Sequence, residues 1–294
     1  MVKLAKAVGD STGLSAECDA SAALCAKTMN ATLWTGTHWR AAAPWPHGDA
    51  IMSGTLHGQS WANLLGLGLL APKEQLLSHI AEEVKVNCAY DKSGQCALGQ
   101  QTLSQAPSES PWSLDGSPSM NFDNAANAMW VGGASFDSPH TVGAKASVEL
   151  YHSRKNDIWD WKDLHMGPRG KTCGSTDLPQ GAALAGEPFV NAHYARQLQG
   201  WMVQRAATGQ FYSAPERRLE LWPAAALGRP GARLPWFAGE AAGMLVVGGA
   251  DEPHRLEVSM GRVPAGLAVR VAAAGREVEL ALDASLGAGE SAAL

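Results

Sequence analysis

Near residue 212 the spacing of apolar side chains changes, and this constrains the fold more than any other feature of the chain. Upstream they recur at steps of three and four, the period of a helix with one buried stripe. Downstream they alternate with polar residues, the period of a strand with one buried face. Residues 14–33 carry Leu14, Cys18, Ala22, Cys25, Met29 and Leu33 on such a stripe, predicting an amphipathic helix ended by Gly36. Asp49 reads as the N-cap of AIMSGTLHGQSWANLLGLG (50–68), which is apolar all round and therefore predicts a helix buried on most sides. APKEQLLSHIAEEVKVN (71–87) opens with proline at the first helical position. It sets Leu76, Leu77, Ile80 and Val84 on one face, as an outer, amphipathic partner would. Residues 91–119 read as a long polar loop. Helical patterns return at 122–134 and 140–154, and a last helix is expected in FVNAHYARQLQGWMVQRAATG (189–209). After residue 212, RRLELW, GMLVVG, RLEVSMG, LAVRVAA and REVELALD alternate between Gly, Pro and Asp punctuation. The expected organisation is thus a mainly α unit over 1–212 followed by a small all-β, antiparallel unit over 213–294. Buried helices alternating with striped ones fit an αα-barrel, and a plain helical array fits them almost as well.

The chain has 294 residues, room for one large domain or a medium one with a small companion. A net charge of −5, with no basic stripe interleaved with aromatics, argues against nucleic acid as a partner. Five scattered cysteines lack metal-ligand spacing, so neither metal nor cofactor is expected. Cys18 and Cys25 read as buried structural thiols, and Cys88 and Cys96 flank a turn that a disulfide could close. The default expectation is a reducing, cytoplasmic compartment. No apolar run is long enough for a transmembrane segment, and MVKLAKAVGDSTG lacks a signal peptide's apolar stretch. It reads as the tail of a helix stopped by Gly9, as though the chain began inside an element.

Three constellations could carry chemistry. The first lies in 50–68, where Ser53, His57 and Trp61 share a helical face, with Gln59 beside them and Gly54 and Gly58 allowing close approach. A tight helix contact around a core histidine explains it equally well. The second is NDIWDWKDLHMGP (156–168). Asp157, Asp160 and Asp163 recur every third residue while Trp159 and Trp161 alternate with them. Tryptophan faces stack on the C–H-rich side of pyranose rings and carboxylates accept from sugar hydroxyls, which suggests a pocket wall. Helix-start aspartates favoured by the macrodipole are the other reading. The third is NAHYARQL (191–198), with Asn191, His193, Tyr194, Arg196 and Gln197, where the guanidinium of Arg196 needs a ligand oxygen or one of those aspartates as partner. There is no GxSxG elbow, no GxGxxG after a strand, no phosphate loop and no HExxH.

Taken in order, three segments resemble family-116 glycoside hydrolases, the non-lysosomal glucosylceramidase and bacterial β-glucosidase group. AIMSGTLHGQSWANLLGLGLLAPKEQLLSHIAEEVKVN is similar to that family's VMSDQCAGQW helix and the proline-led helix after it. FVNAHYARQLQGWMVQ is similar to RxxxYMRPLxIWAMQ, matching at Tyr194, Arg196, Leu198, Trp201 and Gln204. MWVGGAS lies where the family has EVWxG. The resemblance covers roughly residues 1–212. It implies part of an (α/α)6 barrel, a carbohydrate or glycoside substrate, and retaining hydrolysis of β-glucosides. Ala128 and Val190 stand where the family has a glutamate and an arginine. By the same resemblance the catalytic carboxylates fall in a segment that would precede Met1. This chain is then expected to supply one wall of the sugar pocket, with His57, Gln59, Trp61, Asp157, Trp159, Asp160, Trp161, His193 and Arg196 as its liners. A non-catalytic carbohydrate-binding or scaffold module, or an inactive gene fragment, is the alternative. An incomplete barrel would expose inner faces and favour oligomers.

Overall fold

A computed structural model describes residues 8–9, 11–41, 49–88, 96, 99–100, 117–135, 137–149, 164–165, 188–189 and 199–294. Among these residues six α-helices occupy the first part: α1 (Leu14–Leu33), α2 (His57–Leu64), α3 (Lys73–Asn87), α4 (Pro118–Gly132), α5 (Val142–Glu149) and α6 (Gly200–Thr208). A two-residue strand pair, β1 (Leu164–His165) and β2 (Pro188–Phe189), lies between α5 and α6.

Helices α2, α3, α5 and α6 all pack on α4. α4 is therefore a hub, buried nearly all round from Pro118 to Val131. Proline at its first turn and Gly133 in the left-handed region at its end (φ 66°) set its limits. This arrangement corrects the expected mainly α, (α/α)6 barrel architecture. Inner helices of a barrel share a central opening, whereas among the described residues the neighbours of α4 close on the helix itself. The small C-terminal antiparallel β unit, by contrast, is present as expected.

Three further expectations change. The buried helix over 50–68 shrinks to α2, because Gly54 (φ 79°) breaks the chain before His57 and Gly66 and Gly68 (φ 62° and 84°) break it after Leu64. Freed from the helix, Leu65, Leu67, Leu69 and Leu70 stand about half exposed. α1 follows its expected span but buries no residue, so Cys25 is exposed and Cys18 only partly covered. The stripe predicted the helix without the partner that would cover it. The last helix begins at Gly200, and Phe189 belongs to β2 rather than to that helix. Cys88, at the C-terminal cap of α3, is disulfide-bonded to Cys96.

The C-terminal strands are β3 (Gln210–Ser213), β4 (Arg218–Leu221), β5 (Arg233–Ala238), β6 (Ala241–Val246), β7 (Arg255–Met260), β8 (Arg262–Val263), β9 (Ala268–Ala273), β10 (Arg276–Ala281), β11 (Leu286–Gly287) and β12 (Ser291–Ala293). They form two four-stranded sheets, ordered β10-β9-β4-β3 and β12-β7-β6-β5, with a small β11-β8 pair. Pairing is antiparallel except for β4 beside β9, which is parallel. Alternation does what it predicts: Val269, Val271 and Ala273 of β9 turn inward while Ala268, Arg270 and Ala272 are partly exposed. Leu219, Leu221, Trp236, Leu245, Leu256 and Val258 join them in one apolar cluster between the sheets.

Candidate functional site

Buried polar groups join three small apolar clusters in holding the helical part together around α4. Its sequence NFDNAAN turns Asn121, Asp123, Asn124 and Asn127 into the interior, each at most 3% exposed. Such groups persist in a core only when they are bonded. Asn127 Nδ2 donates to the Leu56 carbonyl (3.1 Å) and to Ser60 Oγ (2.8 Å), and Asn63 Nδ2 donates to Asn127 Oδ1 (3.3 Å), fastening α2 to α4. On the other flank Asn124 Nδ2 donates to Glu83 Oε1 (2.8 Å) of α3. Glu83 Oε2 lies 3.3 Å from Nε2 of His79, one turn earlier, and His79 Nδ1 accepts the Trp39 amide hydrogen (3.1 Å). Both members of that pair are sealed from solvent, which marks it as internal scaffolding.

The exception is His57, at the first position of α2. Its side chain is 46% exposed, yet it points one nitrogen at a carboxylate that is only 3% exposed. Nε2 lies 3.0 Å from Trp61 Nε1, whose indole N–H can only donate. Nε2 therefore accepts, and the ring proton sits on Nδ1, 2.5 Å from Asp123 Oδ2. The Gln199 side chain also reaches this nitrogen, its Nε2 lying 2.8 Å from Nδ1. Burial pushes the Asp123 carboxyl above its ordinary value, and the His57 imidazole and Ser60 hydroxyl pull it only part of the way back. Trp61 sits one turn after His57 and packs edge-on against its ring (6.1 Å, 88°), with its indole 46% exposed. Three elements meet here: α2 supplies His57 and Trp61, α4 supplies Asp123, and the start of α6 brings Gln199.

Of the residues the sequence singles out, the structure joins His57 to Trp61. Ser53 leaves their face, because Gly54 ends the helical path, and accepts instead from Asn87 Nδ2 (2.9 Å). Gln59 points inward and uses its whole amide on the chain. It donates to Asn63 Oδ1 (2.8 Å) and the Gly68 carbonyl (3.2 Å) and accepts from the Leu70 N–H (2.8 Å), fixing the leucine-rich loop. Asp157, Trp159, Asp160, Trp161, His193 and Arg196 lie outside the described residues. Asp123 and Gln199 were not singled out by sequence. The available signal was NFDNAAN itself, a helix with four amide or carboxyl groups and no Lys, Arg or Glu to make a solvated face.

No protein-family model and no curated protein matches this chain. Among the described residues no three His, Cys, Asp or Glu side chains gather as metal ligands, and no helix is long and apolar enough to cross a membrane.

Proposed function

We propose that this chain is the sugar-holding wall of a glycoside hydrolase of the β-glucosidase type, with the Trp61 indole facing the substrate and His57 holding it in place. One observation carries the reading: an exposed indole is locked beside a half-exposed imidazole whose orientation a buried carboxylate fixes. Sugars need an aromatic face for their C–H side, and an indole held in one orientation by the imidazole supplies it. The resemblance of the GQSW and YARQL segments to β-glucosidases points the same way.

His57 is not cast as a general base, since both of its nitrogens are committed within the chain. Asp123 is spent on His57, and retaining hydrolysis needs two carboxyl groups roughly 5–5.5 Å apart flanking the scissile bond. The same commitment of His57 favours a second reading, a module that binds glycosides without cleaving them. Under either reading the Cys88–Cys96 bond suits an oxidising compartment better than the reducing one expected from the cysteine spacing.

Calorimetry with methyl β-glucoside and turnover of an aryl β-glucoside test both readings. Binding is expected, and Trp61→Ala should weaken it about tenfold, near the upper end of what an aromatic stacking contact supplies. Binding without turnover transfers the conclusion to the module. Absence of binding to any β-glucoside overturns both.

A further inference from the structure

Among the described residues strand β5 lies at the edge of its sheet, pairing only with β6. An open edge of this kind needs cover. At Pro235 the outward backbone offers only a carbonyl, because proline has no N–H, and Gln204 Nε2 of α6 donates to it (2.7 Å). At Phe237 both a donor and an acceptor face outward. The Gln210 amide satisfies the two together: its Oε1 accepts the Phe237 N–H (2.9 Å) and its Nε2 donates to the Phe237 carbonyl. A primary amide carries N–H and C=O side by side, so Gln210 acts as a one-residue neighbouring strand. It is 2% exposed. Trp201 adds an edge-on contact with the Phe237 ring (5.7 Å, 89°).

These contacts fall along α6 and on the first residue of β3. Between Thr208 and Gln210 stands only Gly209, at φ 58°, where a Cβ would meet the Trp222 carbonyl oxygen. The helix thus passes into β3 with no slack. At the other end of α6, five residues before Gln204 and about 7.5 Å along the axis, is Gln199, the residue that reaches His57.

We propose that the β domain positions the His57 centre: Gln204 and Gln210 clamp the edge of β5 to α6, and α6 carries that constraint to Gln199 and so to the imidazole. Gln210 is then a positioning residue acting through α6. The inference rests on the reading of the His57–Trp61 pair as a sugar-facing wall, but its principal test does not use sugar.

In the full chain, Gln210→Ala should speed hydrogen exchange at the Phe237 amide. It should also shift or broaden the His57 ring N–H resonance in nitrogen-correlated spectra. Gln199→Ala, which removes the last link directly, should produce the same change at His57 while leaving Phe237 protected. Affinity for methyl β-glucoside should fall about three- to tenfold in both variants. An accelerated Phe237 amide with an unmoved His57 resonance overturns the coupling, and an unaltered Phe237 amide overturns the clamp. If Gln210→Ala does not fold, Gln204→Ala, which removes a single bond to Pro235, is read by the same two signals. Failure of sugar binding in the unmodified chain, with both signals behaving as described, removes the sugar reading and leaves the positioning role standing.

Discussion

Asp123 shows how one side chain can carry both the order and the liability of a site. Its carboxyl fixes His57 in a single tautomer, and the cost is a charge held in a poorly solvated interior. The sign of the resulting pH dependence follows from the raised value. The native state holds the Asp123 proton more tightly than the unfolded chain does. Asp123 therefore favours folding most below the unfolded value of 3.8, and that benefit is lost as pH rises through the elevated native value. Asp123→Asn removes the titration while keeping an oxygen to accept from His57 Nδ1. Urea unfolding between pH 3 and 7 should show the difference in stability between variant and parent moving in the variant's favour as pH rises. A constant difference across that range would mean that Asp123 titrates normally. Nothing in the sequence around Asp123 announced this, because the cue lay in what its helix lacks. Four polar side chains without a long charged one among them describe a helix that is wet inside, and a scan for apolar stripes passes over it.

At the level of elements, periodicity gave the helices' existence and type but not their company. The stripe from Leu14 to Leu33 marks α1 to its ends, yet no residue of it is buried. Strands fared better, since a two-layer β unit buries one face of each strand, and RLEL or AVRVAA can alternate only in that way. The parallel register of β4 beside β9 was not legible, because a side-chain period of two is the same for either strand direction. The largest misreading, over 50–68, has a single local cause. Leu, Ala, Trp and Gln favour a continuous helix, and Gly54 at φ 79° overrides them by starting α2 three residues later. An alanine there would need the left-handed conformation, at a cost of about 1–2 kcal/mol, and its Cβ would come within 3.1 Å of Met120 Cγ. Gly54→Ala is thus expected to lower stability by roughly that amount in urea titrations. It should also loosen the His57–Trp61 pair, read as increased quenching of Trp61 by acrylamide. A neutral substitution would show that the turn before α2 tolerates another path.

The two parts of the molecule are built on different physics, and that difference decides how the whole should come apart. The β unit closes on Leu219, Trp236, Leu245, Leu256 and Val271, a dry cluster whose stability is spread over many apolar contacts. The helical part has smaller apolar clusters around α4 and relies on amide and carboxyl pairs that are strong only while every partner stays in place. The Cys88–Cys96 bond guards this weaker half. It ties the end of α3 to the segment bearing Gln100, whose N–H donates to Asn121 Oδ1 (2.8 Å) and whose side chain meets Asn124. A loop spanning a separation of eight residues is worth about 2–3 kcal/mol in lost unfolded-state entropy. Replacing both cysteines by serine should therefore make amides of α3 and α4 exchange about 30- to 150-fold faster. Amides at Leu245 and Val269, deep in the β unit, should keep their protection. Equal acceleration in both places would instead show that the clamp at Gln204 and Gln210 makes the two parts unfold as one, with the dry core no more independent than the wet one.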